Sequence, residues 1–448
     1  MFYSPAKCRL YCLLIVCFHI NANAQQGNSL LLQDMFLIDG NSSVPLKTNI
    51  LIRDGMIAAI GNDIKADDTQ VLNLSGKFVM PALISTHVHI GNLKGTTAKA
   101  SNYTRENILS QLEKYQHYGV ENILVMGTDQ PMLFENGLRD SSANDLLPGA
   151  RIYSAGFGFN VPPKPAPGGP MDHVFRPVNA AHVDAEIDTL AGLKIDIVKM
   201  WVDDFGGSSP KMQPEIYTAI INEAHKRNMR VASHLYYLSD ARKLVAAGVD
   251  IIAHSIRDSL IDDALLQEMK AKHVAYIPTL SLDEFAYIYA RRPDWIDDDF
   301  FKASLEPGVY EMITAPKFQD NIKNSPAYQK NIAAFEMALR NLKKIFDAGI
   351  LVGLGTDSGA NPVRAQGFSE HLELELMVQA GLTPLQAIGV ATKNAAELMH
   401  ISNRFGTLEK GKVADFIVLS ANPLENIKNT RKIEAVYKAG IKVSGAVH

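Results

Sequence analysis

The chain has 448 residues, 47% of them hydrophobic and 21% charged, and a formal net charge of −4. That length allows one large core with a smaller unit beside it, and a mildly acidic balance without basic runs excludes nucleic acid as an expected partner. There is no low-complexity tract or short-period repeat, and the proline- and glycine-rich residues 161–170 must form a loop.

The N-terminus carries Lys7 and Arg9, an apolar run over residues 10–20, and then Asn21-Ala22-Asn23-Ala24-Gln25. A basic start, a short apolar stretch and an Ala-x-Ala site predict a signal peptide over residues 1–24, cleaved between Ala24 and Gln25. Export to the periplasm or the medium is therefore expected. The apolar run is too short to span a bilayer, and no membrane span is expected in the mature chain. Cys17 follows Val16, where lipidation favours a small residue, so a soluble product is favoured over a lipoprotein. Cys8, Cys12 and Cys17 are the three cysteines, and all lie in this segment. The mature protein would then have neither a disulfide nor a thiolate ligand. Loss of Lys7 and Arg9 removes two positive charges and takes the formal charge from −4 to −6.

Residues 25–80 read as short β segments, at 36–40, 48–52 and 56–60, with Asp54-Gly55 as the turn between the last two. The same style returns in residues 401–448, at 414–419 and 435–440. The two ends are predicted to be halves of one small composite β-sandwich domain. Between them, residues 81–400 carry candidate strands at 82–87, 121–127, 151–155, 196–201, 230–235, 251–255, 274–280 and 351–356. Amphipathic stretches such as 214–227, 239–247 and 262–272 separate most of them. Eight such units predict an α/β fold, a TIM (β/α)8 barrel. Residues 282–326 form an acidic insertion with Tyr287, Tyr289, Trp295, Phe300 and Phe301. It is either a lid over the barrel mouth or a surface hairpin packed on itself.

Such barrels do their chemistry at the C-terminal ends of their strands. His87, Lys199, His234, His254 and Asp357 stand at or near the ends of the first, fourth, fifth, sixth and eighth strands, and His89 lies just beyond the first. Imidazole nitrogens and a carboxylate suit zinc and its neighbours, and an open coordination position makes water a nucleophile near neutral pH. His87 and His89, two apart on an extended segment, share a face and can reach one metal. Lys199 lies in an apolar strand and has two readings. It pairs with Asp203 or Asp204, or it has reacted with carbon dioxide to give a carbamate able to bridge two cations. Asp357, in Gly355-Thr356-Asp357-Ser358-Gly359, either touches metal and attacking water or caps the next helix.

These segments resemble the amidohydrolase superfamily, in its imidazolonepropionase-like and Xaa-Pro dipeptidase-like branch. The resemblance rests on residues 79–89, the 355–359 turn, Ala380-Gly381-Leu382-Thr383-Pro384-Leu385-Gln386-Ala387-Ile388 and the return segment 406–415. It implies a metal-dependent hydrolase with two divalent ions, zinc first and manganese, iron or cobalt as alternatives. His87, His89 and Asp357 would hold one ion, His234 and His254 the other, with carboxylated Lys199 bridging. The usual Pro-Gly-Leu-Ile-Asp before the histidine pair reads Pro81-Ala82-Leu83-Ile84-Ser85 here. That change leaves every ligand in place and is read as a matter of local packing.

The expected activity is hydrolysis of an amide bond in a small molecule, a dipeptide or N-acyl amino acid, by metal-activated hydroxide with Asp357 as general base and then acid. Tyr236, Tyr237, Arg257, Arg364 and His371 are candidate substrate contacts, the guanidinium groups suiting a carboxylate. The alternatives are a mononuclear cyclic-amide hydrolase or lactonase without a carbamate, and a non-catalytic binding barrel. A homo-oligomer is left open.

Overall fold

The computed structural model describes residues 29–39, 44–65, 69–163 and 167–447. The expected signal peptide and the three cysteines lie outside these residues. No helix among the described residues is long and apolar enough to cross a membrane.

Both ends of the chain contribute to one mixed sheet. Its path runs Ile441–Ser444, Ile433–Lys438, Phe416–Leu419, Phe78–Pro81, Ser29–Leu37, Leu46–Arg53 and Met56–Ile60, with Gln70–Asn73 paired to Ser29–Leu37. The join is antiparallel, with Phe416 opposite Pro81 and Leu419 opposite Phe78. Apolar side chains from both ends fill a shared core, including Leu32, Ile50, Ile52, Val79, Phe416 and Tyr437. Burial of these side chains is what fastens the C-terminal strands to the N-terminal ones.

The central residues form a TIM-barrel-like α/β arrangement. One parallel arc holds Leu83–Val88, Val120–Val125 and Arg151–Ser154, and another holds Val198–Trp201, Val231–His234, Ile251–Ala253 and Ala275–Ile277. Between the arcs, the Phe159 N–H donates to the Lys199 carbonyl at 2.8 Å and the Trp201 N–H to the Phe159 carbonyl at 2.9 Å. Residues 351–356, expected as the eighth strand, form no ladder. They still bond on both sides: the Tyr276 N–H to Leu351 O at 2.9 Å, and the Thr86 N–H to Leu354 O at 2.7 Å. Gly355 explains the tight fit, since a Cβ there would lie 2.5 Å from Ile277 Cγ2 and 2.7 Å from His87 Cβ.

Helices cover the strands and start where their sequences say. Pro214 opens Pro214–Lys226, Asp262 caps Asp263–Ala271 through the Leu265 N–H, and Thr383 and Gln386 form a reciprocal capping box. Phe368–Gln379 is buried along nearly its whole length yet carries Glu370, His371 and Glu373. The insertion folds as short helices whose aromatic side chains pack together. Trp295 lies 4.7 Å from Phe301, and Phe301 lies 4.7 Å from Phe368, ring centre to ring centre.

Candidate metal centre

The side chains of His87, His89, Lys199, His234, His254 and Asp357 converge. Ring centres run from His89 to His87 at 5.7 Å, His87 to His254 at 4.6 Å and His254 to His234 at 4.2 Å. Asp357 Oδ1 lies 2.8 Å from His89 Nε2 and 3.2 Å from His87 Nε2. Ligand atoms of His87, His254 and Asp357 all fall within 4.8 Å of one another. Lys199 is fully buried beside them, 5.2 Å from the Trp201 ring.

Electrostatics favours the ligand forms. Burial, helped by Lys199 nearby, holds His87 well below the usual imidazole range; burial and the other histidines do the same to His254. His234 is also lowered, chiefly by burial. A neutral imidazole is the form that binds metal. Burial opposes ionisation of Asp357, but Arg364, bonded to its Oδ2, and the adjacent histidines hold the carboxyl well below its ordinary range. Lys199 is brought down to about 7 by burial, against the pull of Asp357 and Asp203.

The donor set fits a divalent ion. Lys199 Nζ, His87 Nδ1 and His234 Nδ1 are buried without a hydrogen-bond partner, a costly condition unless something else meets them. The pairing of Lys199 with Asp203 or Asp204 does not form. Asp203 lies 3.2 Å from His234 Nε2, and Asp204 accepts from the Tyr237 hydroxyl at 2.9 Å. Threonines orient two of the rings: Thr128 Oγ1 is 2.6 Å from His89 Nδ1, and Thr279 Oγ1 is 2.8 Å from His254 Nδ1. Backbone geometry is special here too. His254, Thr279 and Asp357 have φ of 72°, 52° and 57°, the left-handed region that side chains enter at a cost. At Gly359 a Cβ would lie 2.1 Å from the His89 carbonyl oxygen, so only glycine lets this turn close on the first strand.

Above the centre opens a cavity of about 600 Å³ whose wall includes His89, His234, His254 and Asp357. Such a volume suits a ligand the size of a dipeptide. Tyr236, Arg257 and Arg364 line it, with Trp201, Lys330 and Asn331. The Tyr236 ring has the Arg257 guanidinium at 4.7 Å and the Lys330 ammonium at 5.2 Å. Tyr237 is not on this wall; its ring carries the Lys211 ammonium at 3.8 Å. His371, expected at the mouth, is buried elsewhere, 2.9 Å from the Tyr118 carbonyl and 3.1 Å from Thr430 Oγ1. From the insertion, Leu282 reaches the cavity, while the five aromatics pack away from it. Asp203, Thr128, Thr279 and Lys330 were not singled out as site residues in the sequence. A hydroxyl just past the second candidate strand and another near the end of the seventh were the available signal for the two threonines.

A model of the amidohydrolase family matches residues 78–443, which contain every one of these groups. The chain belongs to the amidohydrolase family. Ochratoxinase from Aspergillus niger is 28% identical over 228 residues, 50% of this chain and 40% of that relative, so the match spans well under half of it. Imidazolonepropionase from Brevibacillus brevis is 22% identical over 395 residues, 83% of each chain. A solved Xaa-Pro dipeptidase with bound methionine in its active site superposes with a TM-score of 0.72 at 22% identity, covering 92% of this chain and 99% of that one. The A. niger ochratoxinase structure gives 0.68 at 19% identity, covering 94% and 96%. Both likenesses are of fold.

Proposed function

We propose that this chain is an exported metal-dependent amidohydrolase that cleaves the amide bond of a dipeptide or N-acyl amino acid. The observation that carries the reading is the buried, unpartnered Lys199 amine among four imidazoles and a carboxylate. His87, His89 and Asp357 would hold one ion, and His234 and His254 a second. An amine held near neutrality reacts with carbon dioxide, so a carboxylated Lys199 would join the two. The two arcs and residues 351–356 are read as one eight-unit barrel, with the mixed sheet as its composite domain.

A divalent metal bound there supplies Lewis acidity and a more acidic water. The chain's own groups do the rest. Asp357 is ionised at neutral pH, so it can accept the proton of the attacking water and return it to the leaving nitrogen as the C–N bond breaks. Arg257, Lys330 and Arg364 offer cations to a substrate carboxylate, and Trp201 and Met171 offer apolar surface to a side chain. The likeness to a Xaa-Pro dipeptidase supports placing dipeptides among the substrates to test.

The test is a hydrolysis screen of metal-reconstituted protein over dipeptides, N-acyl amino acids and lactones, with His254→Ala as control. Turnover of the first two classes, lost in the control, is expected; activity confined to lactones, or none, refutes the reading. One observation favours a second reading, a mononuclear cyclic-amide hydrolase: among the described residues the compact group is His87, His254 and Asp357. One metal per chain and no 44-dalton carbamate addition would select it. Export predicts a secreted or periplasmic protein whose N-terminal residue is Gln25.

A further inference from the structure

Beneath the metal centre, one carboxylate collects hydroxyls from two separate ligand-bearing segments. Ser85, two residues before His87, donates to Glu370 Oε1 at 3.1 Å. Thr356 and Ser358, which flank Asp357, donate to the same oxygen at 2.6 Å and 3.0 Å. The Gly367 N–H donates to Oε2 at 2.9 Å. With its own proton committed to Glu370, Ser358 Oγ accepts from the Tyr115 hydroxyl at 2.7 Å. Glu370, Ser85, Thr356 and Ser358 are all fully buried.

We infer that Glu370 is a positioning residue that ties the strand bearing His87 to the turn bearing Asp357, and so sets the spacing of those two metal ligands. The physical case is one of accounting for buried groups. A carboxylate excluded from water needs donors, and this one takes four, three of them from the segments whose ligands must meet. The cross-tie also bears on conformation, because Asp357 sits at φ 57° between its two tethered neighbours. A strained turn persists only where its surroundings fix it from several directions. Oriented partners of this kind act on a metal through its ligands and do not touch it.

The inference rests on the metal-centre reading, and the experiment separates the two. Metal-stripped full-length protein is titrated with Zn²⁺ against a chromophoric chelator, with thermal unfolding followed in parallel. Glu370→Gln keeps the side-chain size but turns one of the two carboxylate oxygens into an N–H donor, so either the three hydroxyls or the Gly367 N–H lose their acceptor and the shared negative charge is gone. A loss of about 10–100-fold in zinc affinity is expected of the folded variant. Glu370→Asn should behave likewise. Ser85→Asp added to it should recover affinity, because Ser85 Oγ already lies 3.1 Å from Oε1 and a carboxylate there can take over the hydroxyls of the turn.

Wild type that takes up no zinc sinks the metal-centre reading. Wild type that binds, with Glu370→Gln binding equally well, sinks this inference alone, even if the variant melts earlier. Failure of Ser85→Asp to restore any affinity also counts against it. Should Glu370→Gln fail to fold, Thr356→Val and Ser358→Ala each remove one donor; stepwise loss of zinc affinity supports the tie, and unchanged affinity in both overturns it.

Discussion

Buried charge is handled in opposite ways at the two ends of the strands. Where the mixed sheet meets the starts of the second and third strands, Arg151 is wholly buried and paired, with Nη1 2.5 Å from Asp415 and Nε 2.7 Å from Asp145. Lys438 donates to the Gly149 carbonyl at 2.7 Å and lies 3.0 Å from Asp145. Glu121 is buried there too, and burial with the nearby Asp415 pushes its pKa well up. At the other end, Lys199 Nζ, His87 Nδ1 and His234 Nδ1 have no protein partner. Ion pairs occur at both ends, Arg364 with Asp357 at the open one among them. Groups kept buried and unpaired around one point mark a place meant for something else.

The largest test of this contrast is at the open end. Asp357→Asn should lower turnover by about 10²–10⁴-fold, the usual worth of a positioned acid–base group. Near-normal turnover with metal retained would contradict the assigned role. At the joint the expectation reverses. Arg151→Ala leaves Asp415 and Asp145 buried without their cation, at a cost of about 3–5 kcal/mol in urea unfolding. Metal content per folded molecule should stay as in wild type. Loss of metal without loss of stability would mean that the two ends are not separate in kind.

His371 sharpens the comparison because it looks like a site residue and is bonded like a joint residue. Both ring nitrogens have partners, Tyr118 O and Thr430 Oγ1, with the Phe300 ring edge and Arg431 facing it. Burial first, then Arg431, lowers its pKa from 6.5 to about 4 despite the bond to Tyr118. Between those values the unfolded chain binds a proton that the folded chain refuses. Stability is therefore intact above pH 6.5 and falls as pH drops toward 4, by up to about 3 kcal/mol from this group. His371→Asn should flatten that part of the pH profile and leave KM unchanged. An unchanged profile, or a KM effect, would return His371 to the cavity.

The candidate ligands were legible because each ends or closely follows an apolar run, and such runs are what hydrophobic periodicity locates. The Lys199 question could not be closed from sequence, since Asp203 and Asp204 are both close in the chain. It took the geometry to put Asp203 on His234 and Asp204 on Tyr237. Residues 351–356 read as a strand by composition, and they bond to both neighbours without completing a ladder. Ser85 was read as packing, because its partner lies 285 positions away on a helix. Tyr237 and Lys330 show the same limit: which side chain faces a cavity depends on loop paths that local pattern does not encode.

The smallest effect carries the contrast furthest, since it predicts a gain. Lys199→Met removes an amine that burial penalises and nothing in the protein satisfies, and Met fills a similar volume. In metal-free protein an unsatisfied buried donor costs about 1–3 kcal/mol, so the variant should be more stable by an amount of that order. Hydrolysis and binding of a second zinc should fall at the same time. The same measurement at Lys438→Met should destabilise, because that ammonium is paired. Chemical unfolding of both variants after chelator treatment decides the matter. Should Lys199→Met prove the less stable of the two, Lys199 has a structural partner after all, and the distinction between joint and open site fails at its central residue.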